Sequence, residues 1–341
     1  MRSTGVLVVG GGQAGLAASF YLRRAGLEHV VLDGQDRPGG AWRHTWPSLR
    51  LFSPAAYSSL PGRPMPPTEG GNPDAAHVVD YLTRYEQRYQ VPVHRPVGVH
   101  RVRRDGSSFV TETSAGTWRS EAVVSATGTW SRPFVPHYPG RRQFRGEHVH
   151  SAHYAGPEGY AGRRVLVVGG ANSGAQIAAD LAPVAEVTWV TTHPPRYLPD
   201  DVDGRELFRV ASARVRGEPG AAGVAGLGDI VVVPPVRTAR DAGLLQARPV
   251  FQWFTPRGVG WDDGSTIDVD AVVWCTGFRP ALGHLAGLLP RDAAGRVRTD
   301  GPVVPEVPGL FLLGYGDWCG PASATLIGVG QWARRVAAEL S

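Results

Sequence analysis

The chain has 341 residues, 42% of them hydrophobic, and a net charge of +5 set by 35 basic residues, all arginine, against 30 acidic ones. This is enough apolar material for two domains of ordinary size, and the arginines are scattered rather than clustered, so nucleic-acid binding is not expected despite the basic balance. The two cysteines, Cys275 and Cys319, stand far apart, which argues against a disulfide framework or a zinc site, and with neither a secretory leader nor a membrane-length apolar run a soluble, cytoplasmic chain with no membrane partner is expected.

The first element is an apolar strand, Val-Leu-Val-Val-Gly-Gly at Val6–Gly11, running through Gly12, Gln13, Ala14 and Gly15 into a helix. Gly10 makes the tight turn, Gly12 lets a pyrophosphate approach the backbone, and Gly15 lets the helix pack against the strand. The helix N-terminus then offers unpaired N–H groups to phosphate charge. The next strand, His29–Leu32, ends in Asp33 followed by Gly34, about twenty residues on, where a carboxylate accepts from ribose hydroxyls. The loop at Arg37–Trp42 follows, with Gly39 and Gly40 permitting close backbone approach and Trp42 supplying a flat wall. A proline-rich loop over Ser53–Pro73 precedes a helix predicted for Ala75–Gln90, whose apolar residues recur at helical spacing. From Val97 to Val124 alternation broken at Asp105-Gly106 and Ala115-Gly116 predicts an antiparallel meander of three or more strands, with Val102 inside it. The chain returns to the core at Ala122–Gly128, through Ala126 and Thr127.

The hexapeptide recurs at Val165–Gly170, with Gly169 at the turn, and continues Ala171-Asn172-Ser173-Gly174. Its second strand, Val187–Val190, leads into Thr191, Thr192 and Arg196 with no acid. A carboxylate repels a 2′-phosphate whereas hydroxyls and an arginine attract it, so the first unit suits an unphosphorylated ribose and the second suits NADPH. Asn172 and Ser173 are placed to cap the helix or to donate to NADP phosphate. A strand at Ala271–Gly277, ending in Thr276 and Gly277, mirrors Ala122–Gly128. The last segment, Gly309–Leu340, reads as a strand at Leu310–Leu313, a turn through Gly316 and Asp317, and a closing helix.

Between the two units lies Phe144-x-Gly146-x-x-x-His150-x-x-x-Tyr154. With the Gly39–Trp42 loop and the two Thr-Gly strand ends, this pattern resembles the flavin-containing monooxygenases, in which it is the identifying motif. Tyr154 stands where Baeyer–Villiger relatives carry tryptophan. Ala155 replaces the usual basic residue, and the loop Leu49–Ser59 lacks the asparagine that many members place over the flavin. A narrower resemblance, through Gly39–His44, Ser48–Pro54, Leu198–Arg205 and Gly314–Trp318, is to small flavin monooxygenases of bacterial arsenic-resistance operons.

The resemblance implies an α/β fold of two Rossmann-like, three-layer ββα domains, with an NADPH domain (156–285) inserted into a discontinuous FAD domain (1–155 and 286–341). Gly10, Gly12, Gln13, Ala14, Gly15, Asp33, Gly34, Gly40, Trp42, Val102, Ala126, Thr127, Gly128, Gly316 and Asp317 are then expected around FAD. Gly169, Ala171, Asn172, Ser173, Gly174, Thr192, Arg196, Thr276 and Gly277 are expected around NADPH. It further implies that NADPH reduces FAD, that O₂ is captured as a C4a-hydroperoxyflavin, and that oxygen passes to a soft nucleophile: arsenite, an organoarsenical, or a small sulfur or nitrogen compound. His150 and Tyr154 take supporting roles. His148, His150 and His153 lack an accompanying carboxylate or cysteine, so no metal is expected. Trp46 reads as a second flavin wall or as ordinary core. An NADPH oxidase without oxygen transfer and a non-catalytic NADP(H)-binding regulator remain as alternatives, while a disulfide reductase lacks the cysteine pair it needs. A homodimer is left open.

Overall fold

A computed structural model of the chain describes residues 1–69, 71–200, 202, 230–293 and 295–341. Part of the Leu198–Arg205 stretch that carries the narrower resemblance lies outside the described residues.

The first sheet has seven strands. β1 (Arg2–Val9) is flanked in parallel by β2 (His29–Leu32) and β6 (Gly116–Ser125). β3 (Val93–His94) extends the β2 edge, while β4 (Val99–Asp105) and β5 (Ser108–Thr113) form with β6 the antiparallel meander read from the sequence. The last strand, β15 (Leu310–Leu312), returns to pair Leu310 with Val123 on β6. Alternation along β1 explains the layering: Val6 and Val8 enter one apolar cluster, Leu7 and Val9 the other. The first cluster lies beneath α1 (Gln13–Arg24), α2 (Ala75–Arg88) and the closing helix α5 (Val329–Glu339). Asp74 starts α2 by accepting the His77 N–H at 2.9 Å.

The second sheet is all parallel, in the order β10, β9, β8, β14, β7. These are Ala247–Pro249, Glu186–Thr191, Arg164–Val168, Ala271–Trp274 and Glu147–His150. Val165 and Val167 face the helices α3 (Asn172–Leu181) and α4 (Pro234–Asp241). Leu166 and Val168 face a three-stranded antiparallel sheet, β11 (Trp253–Phe254), β12 (Gly258–Gly260) and β13 (Thr266–Asp268). The helix, sheet, sheet order is the three-layer arrangement anticipated. β7 precedes the anticipated boundary at 155 yet pairs with β14, and Leu285 precedes the boundary at 285 yet is buried with the first sheet.

Two chain crossings connect the halves, and they are zipped together. Phe134 N donates to Gly277 O at 2.9 Å, Arg279 N to Arg132 O at 2.8 Å and Ala281 N to Gly128 O at 2.9 Å.

Candidate active site

The two glycine turns are near copies in space. Gly10 has φ 109°, and a Cβ on it would lie 2.5 Å from Ala126 O; Gly169 has φ 134°, with Cys275 O at 2.3 Å. A Cβ on Gly15 would lie 1.9 Å from Gly10 O, and one on Gly174 2.0 Å from Gly169 O. Only hydrogen fits at the second pair, because the neighbour is rigid backbone. Helices α1 and α3 begin at Gly12 and Ala171 with no side-chain cap, so their first N–H groups are left for a ligand. Both turns therefore fit a pyrophosphate.

In the first turn the Gly39-Gly40 loop presses on the phosphate side: Gly40 has φ 55°, and its Cβ would fall 2.8 Å from Gly12 Cα. Trp42 Nε1 donates to Gln13 Oε1 at 2.9 Å, and Gln13 Nε2 donates to Ala324 O at 2.7 Å, tying the tryptophan to the helix start and to the C-terminal segment. Gly316 has φ 115°, and Asp317 Oδ1 accepts the Ala322 N–H at 2.9 Å. Gly34 lies beside Gly98. Val102 is 1% exposed and belongs to the buried cluster with Leu7 and Leu32, so only its backbone is available to a nucleotide.

Asp33 is placed beneath the turn, 4% exposed, with its Oδ2 only 2.6 Å from where a Gly11 Cβ would stand. Sequence reasoning missed its partner. Arg95 donates through Nε to Asp33 Oδ2 at 2.9 Å and forks onto Glu86 of α2 at 2.7 and 2.9 Å. The carboxylate expected to read the ribose is thus one corner of a largely buried ion triad.

In the second turn, Thr191 is buried behind Gly170 while Thr192, His193 and Arg196 are exposed on the loop after β9. Asn172 does not cap α3: its Oδ1 accepts the Val231 N–H at 2.8 Å. The Thr276 hydroxyl donates to Phe134 O, fixing a crossing.

His150 is 6% exposed. Its Nδ1 accepts the Ala152 N–H at 3.1 Å, which places the proton on Nε2, 3.0 Å from Gly277 O. Burial lowers its pKa, so it is a neutral clamp between linker and crossing. Tyr154, 3% exposed, donates to Asp180 Oδ2 at 2.9 Å, an oxygen that also accepts from Ser48 at 3.0 Å. The Tyr154→Phe protein is expected to lose about 1.5–3 kcal/mol in denaturant unfolding, the usual worth of a bond to a charged group. Lost activity at unchanged stability would instead put Tyr154 in the chemistry. Cys275 and Cys319 are buried, and burial raises both thiols, which suits inert core residues. Among the described residues no group of three metal-ligating side chains occurs.

A second polar network was not visible in the sequence. The Tyr315 hydroxyl meets Ser125 Oγ at 2.5 Å and Thr127 Oγ1 at 2.7 Å, and Thr127 Oγ1 donates to Ala281 O at 2.8 Å. Ser125 Oγ also meets His284 Nε2 at 3.0 Å. Burial pushes the His284 imidazole from 6.5 down to about 4. The unfolded chain therefore binds the proton first: stability is full above pH 6.5 and is lost as pH falls toward about 4. The unfolding midpoint is expected to drop through that window, and the slope to be shallower in His284→Gln; an unchanged slope would remove this assignment.

One cavity of about 540 Å³ is lined from both halves: Trp42 and Asp317 from the first, Asn172 and Ser173 from the second, with Ser151 and Ala152 of the linker. Trp46, which packs edge-on to Tyr154, is also on its wall. The loop Leu49–Ser58 supplies much of the rest. His150 and Tyr154 flank this chamber through their neighbours rather than lining it.

Two glycine turns, one in each half, with an apolar chamber lined from both halves define a two-nucleotide flavoprotein oxidoreductase, and residues 7–203 match the family model described as pyridine nucleotide-disulphide oxidoreductase. A flavin-containing monooxygenase from Stenotrophomonas maltophilia is 49% identical, with 100% of this chain and 98% of that one covered at a TM-score of 0.92. The chain belongs to the flavin-containing monooxygenases. An uncharacterized CzcO-like oxidoreductase of Geobacillus kaustophilus is 29% identical over 332 residues, covering 95% of this chain and 94% of its own. The indole-3-pyruvate monooxygenase YUCCA4 of rice is 29% identical over 326 residues, covering 81% and 74% respectively. The cofactors are accordingly FAD and NADPH, and the enzyme is a flavin-dependent monooxygenase. Among the described residues no helix is long and apolar enough to cross a membrane.

Proposed function

We propose that the chain oxygenates a small, soft nucleophile in the shared cavity. FAD, when bound, supplies acceptance of hydride from NADPH and activation of O₂. For a thioether the balance is sulfide, NADPH, a proton and O₂ giving sulfoxide, NADP⁺ and water. The observation that carries this reading is an apolar chamber lined by Ala41 and Trp42 of the loop that presses on the first turn and by Asn172 and Ser173 of the second turn. Its aromatic walls, Trp42, Trp46, Trp130 and Phe278 among them, exclude water from the reacting atoms.

Gly10, Gly12, Gly15 and Asp33 hold the FAD, with Trp42 and Asp317 at the cavity wall. The second turn, with Thr192 and Arg196 after β9, holds NADPH and reads its 2′-phosphate. The FAD unit and the inserted NADPH unit follow the two sheets, with β7 going to the second and Leu285 to the first. His150 and Tyr154 brace the linker. The resemblance through Ser48–Pro54 keeps arsenite and organoarsenicals among the candidate substrates, beside sulfur and nitrogen compounds.

The test is reduction by NADPH without oxygen, then mixing with isotopically labelled O₂ and a panel of a thioether, an amine and arsenite. One labelled oxygen in a product, formed in step with NADPH consumed, is the expected result. Conversion of all NADPH equivalents to H₂O₂ with every compound would establish the oxidase instead.

A further inference from the structure

Among the described residues lining the cavity, Arg50 is the one arginine, and no lysine is present. His44 does not compete with it as a cation. Its ring stacks on Trp130 at 3.9 Å and 4°, its Nε2 lies 3.0 Å from Gln35 Oε1, and burial with the neighbouring Arg43 lowers its pKa. The cavity carboxylate, Asp317, has Oδ1 committed to the Ala322 N–H. One arginine therefore stands on a wall that is mostly apolar and aromatic, with Asp317 as the carboxylate on that wall.

The arginine is held at its base and loose at its tip. Its backbone bridges to Asp74, the following residue donates N–H to Pro73 O at 2.8 Å, and Asn72 Nδ2 donates to Leu51 O at 2.8 Å. The guanidinium, by contrast, makes a single 3.4 Å approach to Asp74 Oδ2, with side-chain exposures of 46% and 37%. Asp74 is anchored elsewhere, since its Oδ1 starts α2. Arg95 and Arg240, in comparison, fork onto carboxylates at 2.7–3.0 Å. A planar fork with most of its donors unspent, beside low-dielectric walls, is built to take a carboxylate in two parallel bonds.

We propose that Arg50 selects substrates bearing a carboxylate, pairing with it while the oxidisable heteroatom sits on the apolar remainder of the molecule. This rests on the cavity being the oxygenation chamber. It makes the preferred substrate an apolar thioether or amine acid rather than a neutral sulfide.

The experiment compares (phenylthio)acetate with its methyl ester in the holoenzyme, through kcat/KM for sulfoxide formation. The acid is expected to be favoured about 10- to 100-fold, the worth of hydrogen bonds to a charged group. The preference should collapse toward parity in Arg50→Gln and survive in part in Arg50→Lys. The dissociation constant of the acid, read by quenching of tryptophan fluorescence, should rise by the same factor in Arg50→Gln. An acid-to-ester ratio unchanged by Arg50→Gln overturns the assignment while leaving the chamber intact. A rise confined to the KM for NADPH also overturns it, placing Arg50 on a cofactor phosphate. If neither compound is oxygenated while NADPH is consumed, the chamber reading fails and the proposal fails with it.

Discussion

Gly15→Ala is expected to give a protein that folds without retaining FAD, whereas Gly174→Ala stays yellow and loses flavin reduction by NADPH. The two substitutions are chemically identical and sterically matched, with the new methyl 1.9 Å from Gly10 O in one and 2.0 Å from Gly169 O in the other. Relief requires each helix to move off its strand, which displaces the N–H groups that meet the pyrophosphate. Overpacking of this kind costs about 1–3 kcal/mol or more, or about 10- to 100-fold in the affinity of the affected nucleotide. Flavin absorbance per protein reports the first site, and the anaerobic reduction rate at rising NADPH reports the second. Loss of flavin from Gly174→Ala at undiminished thermal stability would reverse the assignment of the turns.

The second large effect is expected at the buried triad. In Arg95→Met, Asp33 and Glu86 are left facing each other without their cation, in side chains only 6% and 15% exposed. Removing one partner of a buried ion pair costs about 3–5 kcal/mol, chiefly because the remaining charge is stranded. The unfolding midpoint should fall, and FAD should dissociate more readily because Asp33 no longer keeps its place under Gly11. Asp33→Asn in the same background should then cost much less than it does alone, a coupling of about 0.5–3 kcal/mol. Strict additivity in the double-mutant cycle would show that Arg95 does not act through Asp33.

Much of the frame was legible because it is local. The strands at 6–9 and 165–168 are unbroken β-branched and leucine runs, as strands buried on both faces must be, and each runs straight into its glycines. The meander showed through its alternation and its Asp-Gly and Ala-Gly breaks. What the sequence hid is what joins distant residues. Asp33 and Arg95 are 62 positions apart, and β3, which carries Arg95 to the sheet edge, is too short to show a period. Ser125 and Tyr315 are 190 apart. Asn172 was placed by its position in the turn, but that its Oδ1 accepts the Val231 N–H is a contact no local pattern announces. The motif around His150 and Tyr154 marked the family, whereas the bonds that engage both imidazole nitrogens and the phenol become visible only in the folded chain.

The return of β15 to β6 has a consequence for synthesis. Val123–Ser125 cannot gain this neighbour, nor α1 the cover of α5, until Leu310–Leu312 and Val329–Glu339 have left the ribosome. The second sheet, by contrast, uses strands that all lie between Glu147 and Trp274, and needs nothing from the tail. The half made first is therefore finished last. The second sheet can be whole while the first still waits for β15, so that the turn at Gly10–Gly15 gains its full support only after the second turn has its own.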